Sequence, residues 1–163
     1  EDGVCYYQGW GAVTARSILS IEDGTELEDK PLWRFRAYEG RFRSQGTMIS
    51  TSLGILDLDP DGPVWFIDKI TGRQKWECLA TVYENDRPVN NWARPVVIED
   101  KYALIINYSD HAFIVLDLSN GKKALKYRVE QGVSNSAVSA WYHEGVLYCV
   151  TDCSFSAFEI KKK

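Results

Sequence analysis

The chain has 163 residues, of which 45% are hydrophobic and 26% charged, so residues 1–163 fit a single globular domain with a sizeable core. Its net charge of −4 argues against a basic surface for nucleic acid or anionic membranes, and no apolar stretch approaches the ~20 residues of a membrane span. Aromatic residues form 13% of the chain, including six Trp, and this excess favours strands over helices.

The first predicted strand lies around Val4 to Tyr7, and the sequence GWG at Gly9 to Gly11 predicts a turn after it. Residues 1–11 lack the basic start and the apolar run of a signal peptide. A mature secreted or periplasmic chain that had lost its signal would look the same. The sequence therefore leaves the compartment open, with a soluble secreted or periplasmic location slightly favoured.

Residues 17–35, SILSIEDGTELEDKPLWRF, predict a strand beginning at Ser17, a turn ending at Gly24 and a second strand that carries Trp33. Residues 34–43 then interleave four arginines with aromatic residues, a mixture that can stack bases or hold an acidic partner. Period-two alternation favours a simpler interpretation, in which Arg34 and Arg36 face water on a strand whose aromatic residues face the core.

Strands are predicted next for residues 47–52 and 55–58, and the second of these opens the string DLDPDGPVWFID, residues 57–68. Its acidic residues occupy loop positions one, three, five and twelve, with glycine at six, which is the spacing of an EF-hand calcium loop. The candidate calcium ligands are Asp57, Asp59, Asp61 and Asp68. Against calcium, Asp61-Gly62 is itself a hairpin signal, no helices flank the string, and position twelve is Asp rather than Glu. We expect no tight calcium site and no other cofactor.

Residues 64–76, VWFIDKITGRQKW, give the clearest unit of the chain: an apolar strand, a turn from Asp68 to Gly72, and a second strand that carries Trp76. Residues 113–125, FIVLDLSNGKKAL, repeat this order 49 residues later, with Asp117 and Gly121 in place of the acidic residue and the glycine. The earlier unit has its Gly24 at 48 residues before Gly72, and a last copy begins at residue 154. A steady period of this kind is the signature of a repeat architecture.

Further strands are predicted ahead of these hairpins, at residues 94–99, 103–110, 136–145 and 146–152, so that each unit supplies about four short antiparallel strands. Four strands in ~40–50 residues are typical of a β-propeller blade, and the fold class is all-β with about four blades. The pattern holds about fourteen strands, beginning on a second strand and ending on a third. The predicted ring is part of a larger propeller, half of a ring completed by a second chain or second copy, or a small four-bladed ring.

The order of an acidic residue, three others, Gly, and Trp four residues later resembles the blade motif of PQQ-type, or quinoprotein-like, β-propellers. The copy at residues 64–76 carries this motif in full, whereas the copy at residues 113–125 has Leu125 where the family has Trp. The resemblance implies structural roles for the acidic, glycine and tryptophan residues. It also implies two functions known in the family, an interaction platform and a PQQ-dependent oxidoreductase.

Three residues near the C-terminus, His143, Cys149 and Cys153, are spaced like part of a zinc site, but a fourth ligand is missing and the surrounding period is that of strands. The two cysteines could instead meet across a hairpin as a disulfide, or remain buried thiols.

No nucleophile–base pair, phosphate loop or mapped cofactor set is visible, so the favoured function is a non-catalytic propeller that offers loops on a rigid scaffold to a protein partner. A quinoprotein oxidoreductase is the alternative from the family resemblance. The many Trp and Tyr leave a carbohydrate-binding propeller as a third hypothesis.

Overall fold

A computed structural model of the chain describes residues 3–9, 12–17, 31–36, 47–59, 63–79, 94–107, 112–128, 139–150 and 155–159. Within these ranges the regular structure consists of fourteen β-strands, and none of the described segments is a helix that could cross a membrane. The strands are β1 Val4–Gly9, β2 Ala12–Ser17, β3 Trp33–Arg36, β4 Thr47–Ser50, β5 Ile55–Leu58, β6 Pro63–Ile67, β7 Gln74–Leu79, β8 Val96–Ile98, β9 Tyr102–Asn107, β10 Ala112–Asp117, β11 Lys123–Arg128, β12 Ser139–His143, β13 Val146–Val150 and β14 Phe155–Glu159.

The strands form four antiparallel sheets, in each of which neighbours in the chain are neighbours in the sheet. Sheet 1 contains β1–β3, sheet 2 contains β4–β7, sheet 3 contains β8–β11 and sheet 4 contains β12–β14. The predicted four-stranded units are therefore confirmed in sheets 2 and 3. Sheets 1 and 4 each contain three of the described strands.

The central strands of sheet 2, β5 and β6, are buried on both faces, and they are apolar along almost their whole length. Alternate side chains of a strand point to opposite faces, so each strand contributes to two cores. Ile55, Trp65 and Ile67 pack towards sheet 1. Leu56 and Phe66 pack towards sheet 3. A continuous apolar run is what a strand needs when sheets cover both of its faces.

Three hydrophobic cores of this kind join consecutive sheets. The first links Val13 of sheet 1 to sheet 2. The second links sheets 2 and 3 through fully buried residues that include Leu58 and Ile114. The third links sheet 3 to Leu147 and Cys149 of sheet 4. Each fully buried Leu, Ile or Phe stabilises the fold by about 1.5–3 kcal/mol, so these junctions contribute strongly to holding the sheets together.

The position of each strand within its unit follows from the turns. In sheets 2 and 3 the glycine turn joins the third and fourth strands. The repeat tryptophan Trp76 lies in β7, the fourth strand of sheet 2, and Trp33 holds the corresponding position in β3. Sheet 1 therefore consists of second, third and fourth strands. The first turn of sheet 4 has positive φ at Glu144, as the first turn of sheet 3 has at Glu99. Sheet 4 thus consists of first, second and third strands, and the predicted beginning on a second strand and end on a third are both found in the described residues.

One predicted strand is displaced. The strand that pairs with β3 is Ala12–Ser17, with Ala15 opposite Trp33, whereas the sequence predicted a strand that begins at Ser17. The strand was predicted after Ser17 because the run that follows it is more apolar than residues 12–17. Residues 18–30 lie outside the described residues. β2 was less visible because Thr14 and Arg16 interrupt it on the face turned away from sheet 2, where no described sheet packs.

Candidate functional site

Two hairpin turns contain the acidic and glycine residues of the repeat. In the β6–β7 turn one carboxylate oxygen of Asp68 accepts hydrogen bonds from the backbone N–H of Ile70 at 3.0 Å and of Thr71 at 2.8 Å. The N–H of Gly72, which has φ of +68°, donates to the Asp68 carbonyl. Several hydrogen bonds hold the pKa of Asp68 below its usual value, and the bond from the Thr71 N–H contributes most to this lowering. The acidic residue therefore organises the turn.

The β10–β11 turn reproduces this arrangement with different residues. Asp117 accepts hydrogen bonds from the Ser119 hydroxyl at 2.6 Å and from its N–H at 2.8 Å, and the first of these is the main cause of a lowered pKa. Gly121 has φ of +72° and donates to the Asp117 carbonyl. Only glycine adopts such φ values at little cost, which explains its place in both copies.

Each glycine turn receives the indole of the preceding sheet. Trp33 Nε1 donates to the Lys69 carbonyl at 2.8 Å, and Trp76 Nε1 donates to the Leu118 carbonyl at the same distance. A Cβ added to Gly72 would lie 2.5 Å from the Trp33 ring, and one added to Gly121 would lie 2.7 Å from the Trp76 ring. The tryptophan of the repeat therefore binds the turn of the next sheet rather than the turn of its own hairpin.

Further contacts tie the same end of the sheets together. The N–H of Ser52, in the β4–β5 turn, donates to the Asp100 carboxylate at 3.1 Å. Hydrogen bonding from the Ser52 side chain, followed by this backbone bond, lowers the pKa of Asp100. The Tyr142 hydroxyl donates to Glu99 at 3.0 Å, which joins sheet 4 to the first turn of sheet 3. We call this end of the sheets, formed by residues 51–54, 68–73, 99–101 and 117–122, the turn end.

The three candidate calcium ligands that the structure describes, Asp57, Asp59 and Asp68, are not gathered at one place. Asp57 lies within β5 and Asp59 follows it, whereas Asp68 lies beyond the far end of β6, at the turn end. The string is a pair of strands in this region instead of a continuous loop, which separates its two ends. Asp61 lies outside the described residues. Among the residues that the structure describes, no three His, Cys, Asp or Glu side chains are placed to share a metal ion.

Asp57 has a different environment from a surface ligand. Its side chain is on the face of sheet 2 that packs against sheet 1, is only 5% exposed, and accepts a hydrogen bond from Gln8 Nε2 at 2.7 Å. Burial, followed by the nearby charge of Asp59, raises the pKa of Asp57 to about 7. The carboxyl group is therefore a buried polar link between two sheets.

A cleft of about 700 Å³ lies beside the edge of β1, lined by Tyr6, Met48, Thr51 and Asp100 among others. It is adjacent to β4, the first strand of sheet 2. The first strands β8 and β12 of sheets 3 and 4 lie side by side. The cleft is therefore at the place that a first strand of sheet 1 would occupy.

The remaining predicted residues are separated as well. His143 is exposed on one face of sheet 4, whereas Cys149 is buried on the other face against sheet 3, so they cannot share a zinc ion. Cys149 is a free thiol in the structure, and Cys153 lies outside the described residues. In β3, Arg34 and Arg36 are exposed while its aromatic residues pack towards sheet 2, as the alternation predicted.

Neither the family models nor the curated proteins contain a match to the chain. Solved structures do match. BamB from Moraxella catarrhalis is 13% identical with a TM-score of 0.67, and the match covers 98% of this chain and 47% of BamB. The computationally designed Ika4 protein is 12% identical with a TM-score of 0.64, covering 99% of this chain and 88% of Ika4.

The quinohemoprotein alcohol dehydrogenase of Comamonas testosteroni is 14% identical with a TM-score of 0.57, covering 77% of this chain and 19% of that enzyme. The chain thus spans about half the length of BamB and about a fifth of the dehydrogenase. At these identities the likeness concerns the fold alone, which is that of β-propeller blades, as the sequence predicted.

Proposed function

We propose that the chain is a non-catalytic propeller module of the PQQ-like repeat type that presents a binding platform to a protein partner. The observation that supports this role is the contrast between the two ends of the sheets. The turn end consists of short turns that bond to themselves and to the next sheet. The strands β3, β7 and β11 all run towards the opposite end, and each is followed in sequence by a long connection, residues 37–46, 80–93 and 129–138, which lies outside the described residues.

Connections on a rigid scaffold are where binding residues usually lie. The three cores and the two Trp–Gly junctions provide that rigidity, since each sheet is fixed to its neighbour by apolar packing and by directed hydrogen bonds. We call the end opposite the turn end the connection end. The proposal places the partner there.

Photo-crosslinking in the native host tests the proposal. A photoreactive amino acid is introduced at Asn90 or Asn135, in two of the long connections, and in matched controls at Ile70 or Asn120, at the turn end. We expect specific protein adducts from the connection positions and only background from the turn-end positions. Adducts from the turn end alone, or none above background at either end, would refute the platform role.

An oxidoreductase remains a second candidate because of the match to the dehydrogenase and the blade motif. The described residues do not fit a PQQ and calcium site: the buried carboxyl groups are Asp57 and Asp59, and Asp57 already accepts a hydrogen bond from Gln8. We therefore derive no reaction for this chain. Saturable binding of PQQ in the presence of calcium, followed by visible absorbance, would favour the enzyme over the platform.

A further inference from the structure

The face of sheet 4 turned away from sheet 3 carries a cluster of aromatic side chains. Trp141 and Tyr148 stack with ring centroids 5.1 Å apart and planes 11° from parallel. Phe155 lies 6.0 Å from each of them. Trp141 is 43% exposed and Phe155 is 62% exposed. Contiguous exposed aromatic surface of this kind marks an interaction site more often than an isolated exposed side chain does. We call these three residues the aromatic face.

The equivalent positions of sheet 3 indicate the role of the aromatic face. In sheet 3, Val96 pairs with Leu104 across β8 and β9, as Trp141 pairs with Tyr148 across β12 and β13. Phe113 and Phe155 also hold equivalent positions, because each pairs with the residue two places after Leu104 or Tyr148 on the neighbouring strand. The residues at these positions in sheet 3 form the core against sheet 4, where Phe113 is only 6% exposed. The aromatic face is therefore in the position of a sheet-to-sheet junction.

Sheet 1 offers a surface of complementary chemistry on its face turned away from sheet 2. The cross-strand register places the exposed side chains of Tyr7 and Arg34 on either side of Thr14 on that face, where Thr14 itself is only 2% exposed. Arg36 is exposed beside them, and the guanidinium of Arg16 lies over the Tyr7 ring at 5.8 Å. We call this surface the arginine face. Arginine side chains stack well on Trp, Tyr and Phe rings, so arginine and aromatic faces fit each other.

We propose that the aromatic face of one chain packs against the arginine face of a second copy of the same chain. Two copies related by a two-fold axis form two such junctions, and their eight sheets lie within the size range of propellers. Within the described part of a single chain, the three hydrophobic cores join sheets 1 to 2, 2 to 3 and 3 to 4, and none joins sheet 4 to sheet 1. This inference does not depend on the platform role.

Sedimentation analysis of the full chain and three variants tests the pairing. We expect wild type to sediment as a dimer of the 18.6 kDa chain, and a Trp141→Lys/Phe155→Lys variant, which places like charges against the arginine face, to sediment as a monomer with an unchanged far-ultraviolet spectrum. An Arg34→Glu/Arg36→Glu variant should be monomeric as well. Ile70→Glu is the matched control, because Ile70 is 87% exposed in the β6–β7 turn and lies on neither face.

Mixing the two monomeric variants gives the sharpest outcome. The aromatic-face variant keeps its arginine face, and the arginine-face variant keeps its aromatic face, so the mixture can form one intact junction. We expect heterodimers in the mixture and none in either variant alone. Dimers that persist in both variants, or a mixture that stays monomeric although wild type dimerises, would overturn the proposed pairing.

Alkylation of Cys5 provides a second readout that needs no substitution. Cys5 is exposed and lies on the arginine face, in register with Arg16. We expect its alkylation, followed on the Cys5 peptide by mass spectrometry, to slow as the concentration of wild type rises. A wild-type monomer with constant Cys5 reactivity at every concentration would overturn the proposal. So would binding of a glycan that quenches Trp141 fluorescence in such a monomer, since it would assign the aromatic face to carbohydrate.

Discussion

At the scale of single residues, two glycines determine how closely consecutive sheets approach. The turns at Gly72 and Gly121 combine a positive φ with an indole ring directly above the Cα atom. A side chain at either place would meet both a backbone penalty and a steric conflict. These two costs are separable, because Gly145 has φ of +83° with no atom within 4 Å of an added Cβ.

We therefore predict that Gly121→Ala destabilises the fold more than Gly145→Ala does. The left-handed backbone costs about 1–2 kcal/mol for a residue with a Cβ, and the variant at Gly121 must also displace the Trp76 ring, at about 1–3 kcal/mol more. Urea unfolding of both variants measures the difference. Equal losses would show that Trp76 does not lie over Gly121.

Asp57 gives a prediction about pH. Its folded-state pKa is raised from 3.8 to about 7, chiefly by burial, so the folded state holds the proton that the unfolded state releases. The stability from this group is fully present below pH 3.8 and is lost as pH rises to about 7.

We predict that Asp57→Asn removes this loss, and that its free energy of unfolding exceeds that of wild type by on the order of 3 kcal/mol at neutral pH. Urea unfolding across the acid-to-neutral range measures it. Asp68→Asn is the control of opposite sign, since the lowered pKa of Asp68 favours the folded state at neutral pH and loses its effect in acid. A parallel pH dependence in wild type and Asp57→Asn would contradict the burial of this carboxyl group.

At the scale of strands and sheets, the indole of one sheet and the turn of the next form the recurring junction. Trp76 stacks on Phe66 of its own sheet with centroids 5.2 Å apart, and it donates a hydrogen bond to the Leu118 carbonyl of sheet 3. The side chain therefore connects two sheets by packing and by a directed bond.

Trp76→Ala should destabilise the protein by about 3–5 kcal/mol, the range for a large side chain removed from a packed site. Trp76→Phe keeps much of the packing but lacks the indole N–H, and we expect it to lose less. Thermal and urea unfolding measure both, with Ile70→Ala as an exposed control. A midpoint for Trp76→Ala equal to that of the control would contradict the repeat alignment.

Much of this element structure could be predicted from sequence, because the hairpin signal at residues 64–76 is local. Asp68, Gly72 and the following strand lie within one turn and its flanks. The partner of each tryptophan could not be predicted in the same way, because Trp76 and Leu118 are 42 residues apart. β2 was misplaced because a strand at the end of the described stack has one face with polar residues, which weakens its apolar signal. The bond between Gln8 and Asp57 was missed for the same reason as the tryptophan contacts: it joins different sheets.

At the scale of the whole molecule, four sheets follow one another with a core between each consecutive pair. This succession fixes each described sheet to its neighbour, and the described turns of sheets 2 and 3 lie together at the turn end. The outer faces of sheets 1 and 4 then differ in chemistry, one rich in arginine and the other in aromatic residues. The platform and the pairing proposals use different parts of this body, so either can fail without the other.

The central claim is that sheets 1 and 2 are each joined to the following sheet by a tryptophan that lies on the glycine turn of that following sheet. Nuclear Overhauser contacts in the folded protein test it most directly. We predict cross-peaks from the Trp33 indole protons to the Gly72 Hα protons, and from the Trp76 indole protons to the Gly121 Hα protons. Cross-peaks from the Trp76 indole to Gly72, the glycine of its own hairpin, with none to Gly121, would contradict the account.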